Sequence, residues 1–413
     1  MKRLSAWLLP LALASSGIAQ VSDKPTLDQL VAEALQNNLR LIAERYNIPV
    51  AEARIVQARL RPNPTLLLQA QYLDAFGLDF SLKNPAGPPE GDIGLLMPIV
   101  RGGKRAAKMG TAQWSKTVTE ADFLNASRNL ILDVQLAFVD FLLARENVQL
   151  LQSSQISIEQ IVEVNKNRVV AGDVTPLELA RSRLALLQHR NLLFVARRRF
   201  RQSQFRLQIL AGRPNLSLDF DVTGSFRREE PVPLPGLQET ALRNRPDLES
   251  ARREVNRAQS GLRLQKAMAK PDWTTYSWVN RQWNIGIQNG MSLTFQWNIP
   301  LAVSDRNQGE IMRAEQEISQ SETRVRASER EIKNELAAAY FNYQNALETV
   351  LLAENEAVKQ ALDVREEMHT VYRQGQEPLD VLLDVQKFYD EAVLSMNDSR
   401  AELARAPYTL SRP

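Results

Sequence analysis

Cysteine is absent from this chain, histidine occurs only at positions 189 and 369, and no run of 18 consecutive apolar residues interrupts it. Each absence excludes something. Without cysteine there are no disulfides, no thiolate metal sites and no lipid-bearing Cys behind a leader. With two histidines and scattered methionines, no first coordination shell for zinc or copper can be assembled. His189 and His369 fall on predicted helices away from paired ligands, so structural or solvent roles are expected for both. The lack of a long apolar run excludes a transmembrane helix. Charge of either sign is also unremarkable: 51 Lys and Arg against 48 Asp and Glu, a net +3. That near-balance argues against a nucleic-acid partner, which needs a basic stripe. No nucleophile–base pair, phosphate loop or pocketed carboxylate pair appears, so neither an enzyme nor a cofactor is expected.

What is present begins with a leader. Lys2 and Arg3 form a positive start, Leu4 to Ala14 a short apolar stretch, and Gly17-Ile18-Ala19 a small-residue site. Residues 1–19 therefore read as a signal peptide cut after Ala19. An exported protein that reaches a membrane without a spanning helix is either peripheral or a β-barrel.

The chain then repeats itself. Ala34, Leu35, Asn37, Leu41 and Pro64 recur as Ala241, Leu242, Asn244, Leu248 and Pro271, all at an offset of 207. Pro98-Ile99 returns as Pro300-Leu301, and Gly172 as Gly375, at offsets of 202 and 203. Such an ordered series indicates duplication. The first repeat spans 20–212: a helix over Leu27–Leu60 capped by Thr26, a β-hairpin at 64–100, a long helix at 104–170 and a return helix at 175–211. Pro49 is expected to kink or split the first helix. A non-helical segment, 213–235, precedes the second repeat at 236–405. That repeat has a helix over Leu237–Met268, a hairpin at 272–300, a long helix at 305–373 and a return helix at 378–405. Residues 406–413 are a tail.

Glycine and proline are missing from Thr111–Ala171 and from Glu310–Gln374. Sixty-odd helical residues extend roughly 90–100 Å, deeper than any ordinary globular core. From Leu130 to Val169, twelve positions spaced alternately by four and three residues are apolar except Gln155 and Asn165, which is a coiled-coil seam. The second long helix carries two such stripes, implying neighbours on both sides, as in a ring of helices. Both long helices stop at a glycine and restart at a proline: Gly172 then Pro176, Gly375 then Pro378.

The hairpins alternate. Met291, Leu293, Phe295, Trp297 and Ile299 face one way, Ser292, Thr294, Gln296 and Asn298 the other, as in a barrel that is apolar outside and polar inside. Trp273, Trp278, Trp283 and Trp297 cluster in the second hairpin, where an interfacial aromatic girdle would put them. A soluble two-sheet core is the plainer alternative. Four strands cannot close, and closure takes about eight or more. Two chains pooling hairpins would supply 8 and three would supply 12.

These features resemble the TolC-like outer-membrane factor family over about Thr26 to Leu403. Within it the chain most resembles the cobalt–zinc–cadmium (heavy-metal) efflux group, through Arg61-Pro62-Asn63-Pro64, Gly102-Gly103-Lys104-Arg105-Ala106-Ala107, Arg306-Asn307-Gln308-Gly309 and the turn Ala171 to Glu178. The resemblance implies a mostly α fold with a small β part. It also implies a homotrimer whose helices form an α-barrel tunnel and whose strands form a shared 12-stranded barrel in outer-membrane lipid. The implied partners are a periplasmic adaptor (membrane fusion) protein and an inner-membrane RND-type pump. The implied function is passive conduction of pumped substrate, heavy-metal cations in this group. A duct for drugs or secreted polypeptides shares the fold, and a coiled-coil surface protein is the distant alternative. By the same resemblance, Tyr372 stands where a gate tyrosine stands and Glu178 where its acidic partner can occur, so a Tyr372–Glu178 latch is expected. Glu377 replaces the family's arginine two residues after the second glycine. Asp380 matches one acid of a pore constriction. The second is displaced by one residue to Asp384, and the pair shares a helix face at i, i+4. Solvated acids near a helix start are the simpler account of this pair.

Overall fold

A computed structural model describes residues 24–73, 89–226, 233–283 and 290–410. The expected signal peptide lies outside them. Helices dominate: α1 (Leu27–Asn37), α2 (Leu39–Arg45) and α3 (Asn47–Arg59) lead to strands β1 (Thr65–Gln71) and β2 (Glu90–Ile99). Then come α4 (Lys104–Ala171), α5 (Pro176–Leu210), α6 (Leu234–Asn244) and α7 (Pro246–Met268). Strands β3 (Trp273–Gln282) and β4 (Gly290–Asn298) precede α8 (Gln308–Leu352), a π-helical turn at Ala353–Ala357, α9 (Val358–Arg373) and α10 (Leu379–Leu410).

Helix α4 organises the rest. Its 68 residues extend about 100 Å. No single partner covers that length. Helices α3 and α7 flank its upper part, α1 lies against its middle, and α5 and α10 flank its lower part. The lower layer runs α5–α4–α10–α9, so α5 and α9 are its two free edges. Midway, Leu30, Phe138, Phe141, Leu142, Leu207 and Phe220 make the main core, with Phe141 set against Phe200 and Phe220. Burying each such side chain contributes roughly 1.5–3 kcal/mol. A second core joins Leu248, Ile332, Leu336, Tyr343, Val350 and Leu403. The repeat is visible in burial: Ala34 and Ala241 are both buried, as are Leu41 and Leu248.

The first helix of each repeat differs from expectation. It is broken at Asn38 in one half and at Arg245 in the other, positions 207 apart. Asn38 Oδ1 accepts from Arg40 N and Leu41 N at 3.0 and 3.2 Å, capping α2, while Nδ2 donates to Leu210 O. In the second half Pro246, lacking an N–H, opens α7. Pro49 sits harmlessly in the first turn of α3, just after a second break at Tyr46. The second long helix is helical over its expected length but is interrupted by the π turn. Helix α10 continues through Pro407, beyond the expected end at Arg405.

All four strands form one antiparallel sheet in the order β1-β2-β3-β4, because β2 also pairs with β3. Its outer edges are β1 and β4. The sheet meets the helices at a pinned junction. Gly102 and Gly103, with φ of +69° and +75°, turn β2 into α4. Asp272 then accepts from Arg101 N and pairs with the buried Lys104, both at 2.9 Å.

Two other glycines distinguish strain from crowding. Gly172 and Gly212 both have positive φ, but a Cβ on Gly172 meets nothing, whereas one on Gly212 would lie 2.5 Å from the Asn37 carbonyl. Gly172→Ala is expected to cost only the left-handed penalty, about 1–2 kcal/mol. Gly212→Ala should cost clearly more, because backbone must move. Parallel thermal unfolding of the two variants checks this; equal losses would contradict it.

Candidate functional site

The tip is built from two helix reversals. Gly172 ends α4, with Asp173 N donating to Arg168 O at 2.9 Å, and Thr175 with Pro176 starts α5. Gly375 ends α9, with Gln376 N donating to Val371 O, and Pro378 precedes α10. Against these turns lies a small apolar cluster of Ile161, Tyr372, Leu379 and Leu382.

Within the protomer, the Tyr372 hydroxyl donates to Asn165 Oδ1 rather than to the expected Glu178. Asn165 is one of the two polar breaks in the α4 seam, and that placement aims it into the α4–α9 contact, fully buried. Glu178 is half-buried at the start of α5. Burial pushes the Tyr372 phenol above its ordinary value, and the nearby Glu178 charge adds to the rise. The phenol therefore stays a donor at neutral pH. Arg168 completes the group: its Nη1 reaches Tyr372 O at 3.4 Å and its guanidinium lies 5.4 Å from the Tyr372 ring centroid. Sequence reasoning did not single out Asn165 or Arg168 for this site. A polar residue in an apolar seam was the available signal for the first.

Asp380 and Asp384 are both exposed on α10 and lie on one face, with exposed Phe388 one turn further. Deeper in, three helices meet at a buried polar network. Ser154 of α4 and Gln386 of α10 both donate to Asp390 Oδ1, at 2.5 and 3.0 Å. His189 of α5 lies 3.9 Å from the Asp390 carboxylate and bonds Leu151 O through Nε2. Burial raises the Asp390 pKa despite these contacts. On α9, burial lowers that of His369. Among the described residues no group of three or more His, Cys, Asp or Glu could hold a metal ion.

The sheet has two chemically distinct faces. Register places Leu66, Leu68, Ile93, Leu95, Met97, Leu293 and Phe295 together on one face, and all are exposed. Trp273, Trp283 and Trp297 share its strand parity. Trp273 and Trp297 meet edge-to-face at one end, with the Arg101 guanidinium 3.5 Å from the Trp273 centroid, and Trp283 lies over Gly91 at the other. Trp278 does not belong to this girdle. It sits mid-strand on the polar face with Asn280, Gln282, Thr294 and Gln296, because strand alternation gives even-numbered β3 residues to that face. A Cβ at its partner Gly94 would stand 2.5 Å from Trp278 Cβ. On the same face Asn280 donates to Glu90 and Asp92. Among the described residues no helix is long and apolar enough to cross a membrane.

An open sheet with one apolar exposed face, joined to helices about 100 Å long, is an architecture with known counterparts. The outer membrane efflux protein family model matches residues 30–213 and 237–412, one match per repeat. The chain belongs to that family. It is 24% identical to the cobalt-zinc-cadmium resistance protein CzcC of Cupriavidus metallidurans, over 81% of this chain and 78% of that protein. It is 25% identical to the pyoverdine export outer membrane protein OpmQ of Pseudomonas aeruginosa, over 60% of this chain and 55% of that one. The structure of CusC superposes with a TM-score of 0.72 at 16% identity, covering 93% of this chain and 91% of CusC.

Tyr372→Phe leaves Asn165 Oδ1 buried without its donor and should destabilise the tip by about 1–3 kcal/mol. Adding Asn165→Leu removes the orphan and should recover most of the loss; chemical unfolding monitored by a tip-placed fluorophore reads both. Asp390 gives a pH prediction. Its folded pKa is raised, so the folded state holds the proton longer than the unfolded chain does. Stability is therefore fully present below the ordinary carboxyl value and falls as pH rises from about 4 through the folded pKa. Asp390→Asn should flatten that fall in a melting-temperature series between pH 4 and 7.

Proposed function

We propose that three copies of this chain form a passive duct across the outer membrane that conducts heavy-metal cations toward the exterior. In this reading an inner-membrane RND-type pump supplies the energy and a periplasmic adaptor (membrane fusion) protein joins the pump to the tips around Gly172 and Gly375. The observation that carries the duct is the sheet. Its apolar face is exposed and its edge strands β1 and β4 have no partner strand among the described residues. Unpaired edge N–H and C=O groups are not tolerated in lipid, so closure requires further strands. Three copies supply twelve.

Metal cations as the substrate are supported by the match to CzcC over most of both chains and by the acidic pair on α10. Repeated around a three-fold axis, Asp380 and Asp384 make a six-carboxylate ring that attracts cations and repels anions. In the closed state Tyr372, held by Asn165 and Arg168, clamps α9 against α4; opening swings α9 and α10 away and breaks that contact. The chain needs no coordinating site of its own, since a conduit must release what it carries. The match to OpmQ favours a second reading, export of an organic siderophore, over a shorter stretch.

Planar-bilayer recordings test the ring. Asp380→Asn with Asp384→Asn should lower cation-over-anion selectivity several-fold and weaken block by divalent ions. Unchanged block would remove the pair from the conduction path. Strains lacking the gene separate the substrates: lost zinc, cobalt or cadmium tolerance supports the metal reading, and unchanged metal tolerance with reduced siderophore export supports the other.

A further inference from the structure

The two free edges of the lower helical layer are oppositely charged. Helix α5 carries eight arginines against a single acid, Glu178. Ser182, Leu186, His189 and Leu193 bury one side of it against α4. Away from that side, Arg183, Leu187, Phe194, Arg198 and Arg201 recur at helical spacings of three, four and seven, all exposed. Among the described residues Arg183, Arg198 and Arg201 have no carboxylate partner within the chain. At the opposite edge, α8 and α9 bury Tyr343, Val350 and Tyr372. Their far side and that of the π turn between them present Phe341, Glu348, Leu352, Glu356, Asp363 and Glu367, also exposed and, among the described residues, with no basic partner.

Resting on the trimer reading above, we infer that these edges are the two halves of one head-to-tail seam. The arginine stripe of α5 docks on the acidic stripe of α8–α9 in the next copy, and charge fixes the axial register of the ring. The heights agree. Counted from the tip reversals at Thr175 and Gly375, Arg183 and Glu367 each lie eight residues up, about 12 Å at 1.5 Å per residue. Arg201 and Glu348 lie 26 and 27 residues up, about 40 Å. Arg198 is level with Leu352, one turn above Glu356. The one base on the acidic stripe, Lys359, comes level with the uncharged Asn191, 16 residues up on each side. Leu187, Phe194, Leu352 and Phe341 supply the apolar contact between the charges. A slide of two turns toward the sheet would set Lys359 level with Arg198 and take Glu367 away from Arg183, so the pattern opposes that register as well as favouring the right one.

The absence of cysteine makes the test clean, because every disulfide formed is an introduced one. The full chain is prepared in detergent with Arg183→Cys and Glu367→Cys, or with Arg201→Cys and Glu348→Cys. Mild oxidation should convert each from single-chain mobility to a covalent species of three times the protomer mass. The mismatched pair Arg183→Cys with Glu348→Cys, about 28 Å apart in height, should stay single-chain. A charge exchange gives a second reading: Arg201→Glu should lower the melting temperature of the native trimer, and adding Glu348→Arg should restore it. If the unmodified protein has trimer mass but neither matched pair cross-links, the seam is wrong and the trimer stands. If the unmodified protein has the mass of one chain, the trimer reading falls and takes the seam with it.

Discussion

A helix of 68 residues buries its apolar seam only if a succession of partners covers it, and that requirement shapes everything around α4. Helices α3 and α7 cover it near the sheet, α1 at the middle, α5 and α10 toward the tip. The partners change where the chain changes character. Around Phe138 and Phe141, where α1, α5 and Phe220 converge, packing is aromatic and dry. Below that level the contacts turn mixed, and near Ser154 and Asn165 they are hydrogen-bonded. Apolar packing holds the middle of α4 together. Polar contacts toward the tip are separable at lower cost, because water can replace each of them.

Much of this was readable beforehand, for identifiable reasons. Glycine and proline are so sparse in the long segments that their few occurrences mark the tips unambiguously, and both tip glycines adopt positive φ. Duplication exposed itself because residues such as Leu41 and Leu248 are held by equivalent packing. Strand alternation was legible in β4, where polar and apolar residues strictly alternate. In β3 it is not: composition groups Trp278 with its neighbours, while parity puts it on the other face. The breaks at Asn38 and Arg245 were missed because Asn38 ends one helix and starts the next through a single side chain, a tertiary bargain sealed by Leu210 O. The π turn leaves no composition signal, and Arg168 looks like any surface cation until Tyr372 is brought to it.

The tip gathers its polar side chains onto one helix. The guanidinium beside the Tyr372 ring comes from Arg168 of α4, and Glu377 in the turn is an acid. The tyrosine's partner is likewise an amide of α4 and not the acid of α5. Both contacts sit on the helix that is best anchored by the cores above it.

The tryptophans on the outward face of the sheet carry a consequence about where the protein can reside. Trp273 opens β3 and Trp283 follows its last residue, ten residues on and roughly 34 Å along the chain. At the tilt usual for membrane barrels that length projects to roughly 25 Å along the bilayer normal. In the proposed barrel, indole rings at both limits would act as floats at the two water lines. A bilayer much thicker than this span would have to thin around the protein or leave hydrocarbon against polar side chains, at a cost that grows with each ångström. In that barrel the sheet would work as a ruler as well as a wall, matched to a thin membrane and ill-suited to a thick one.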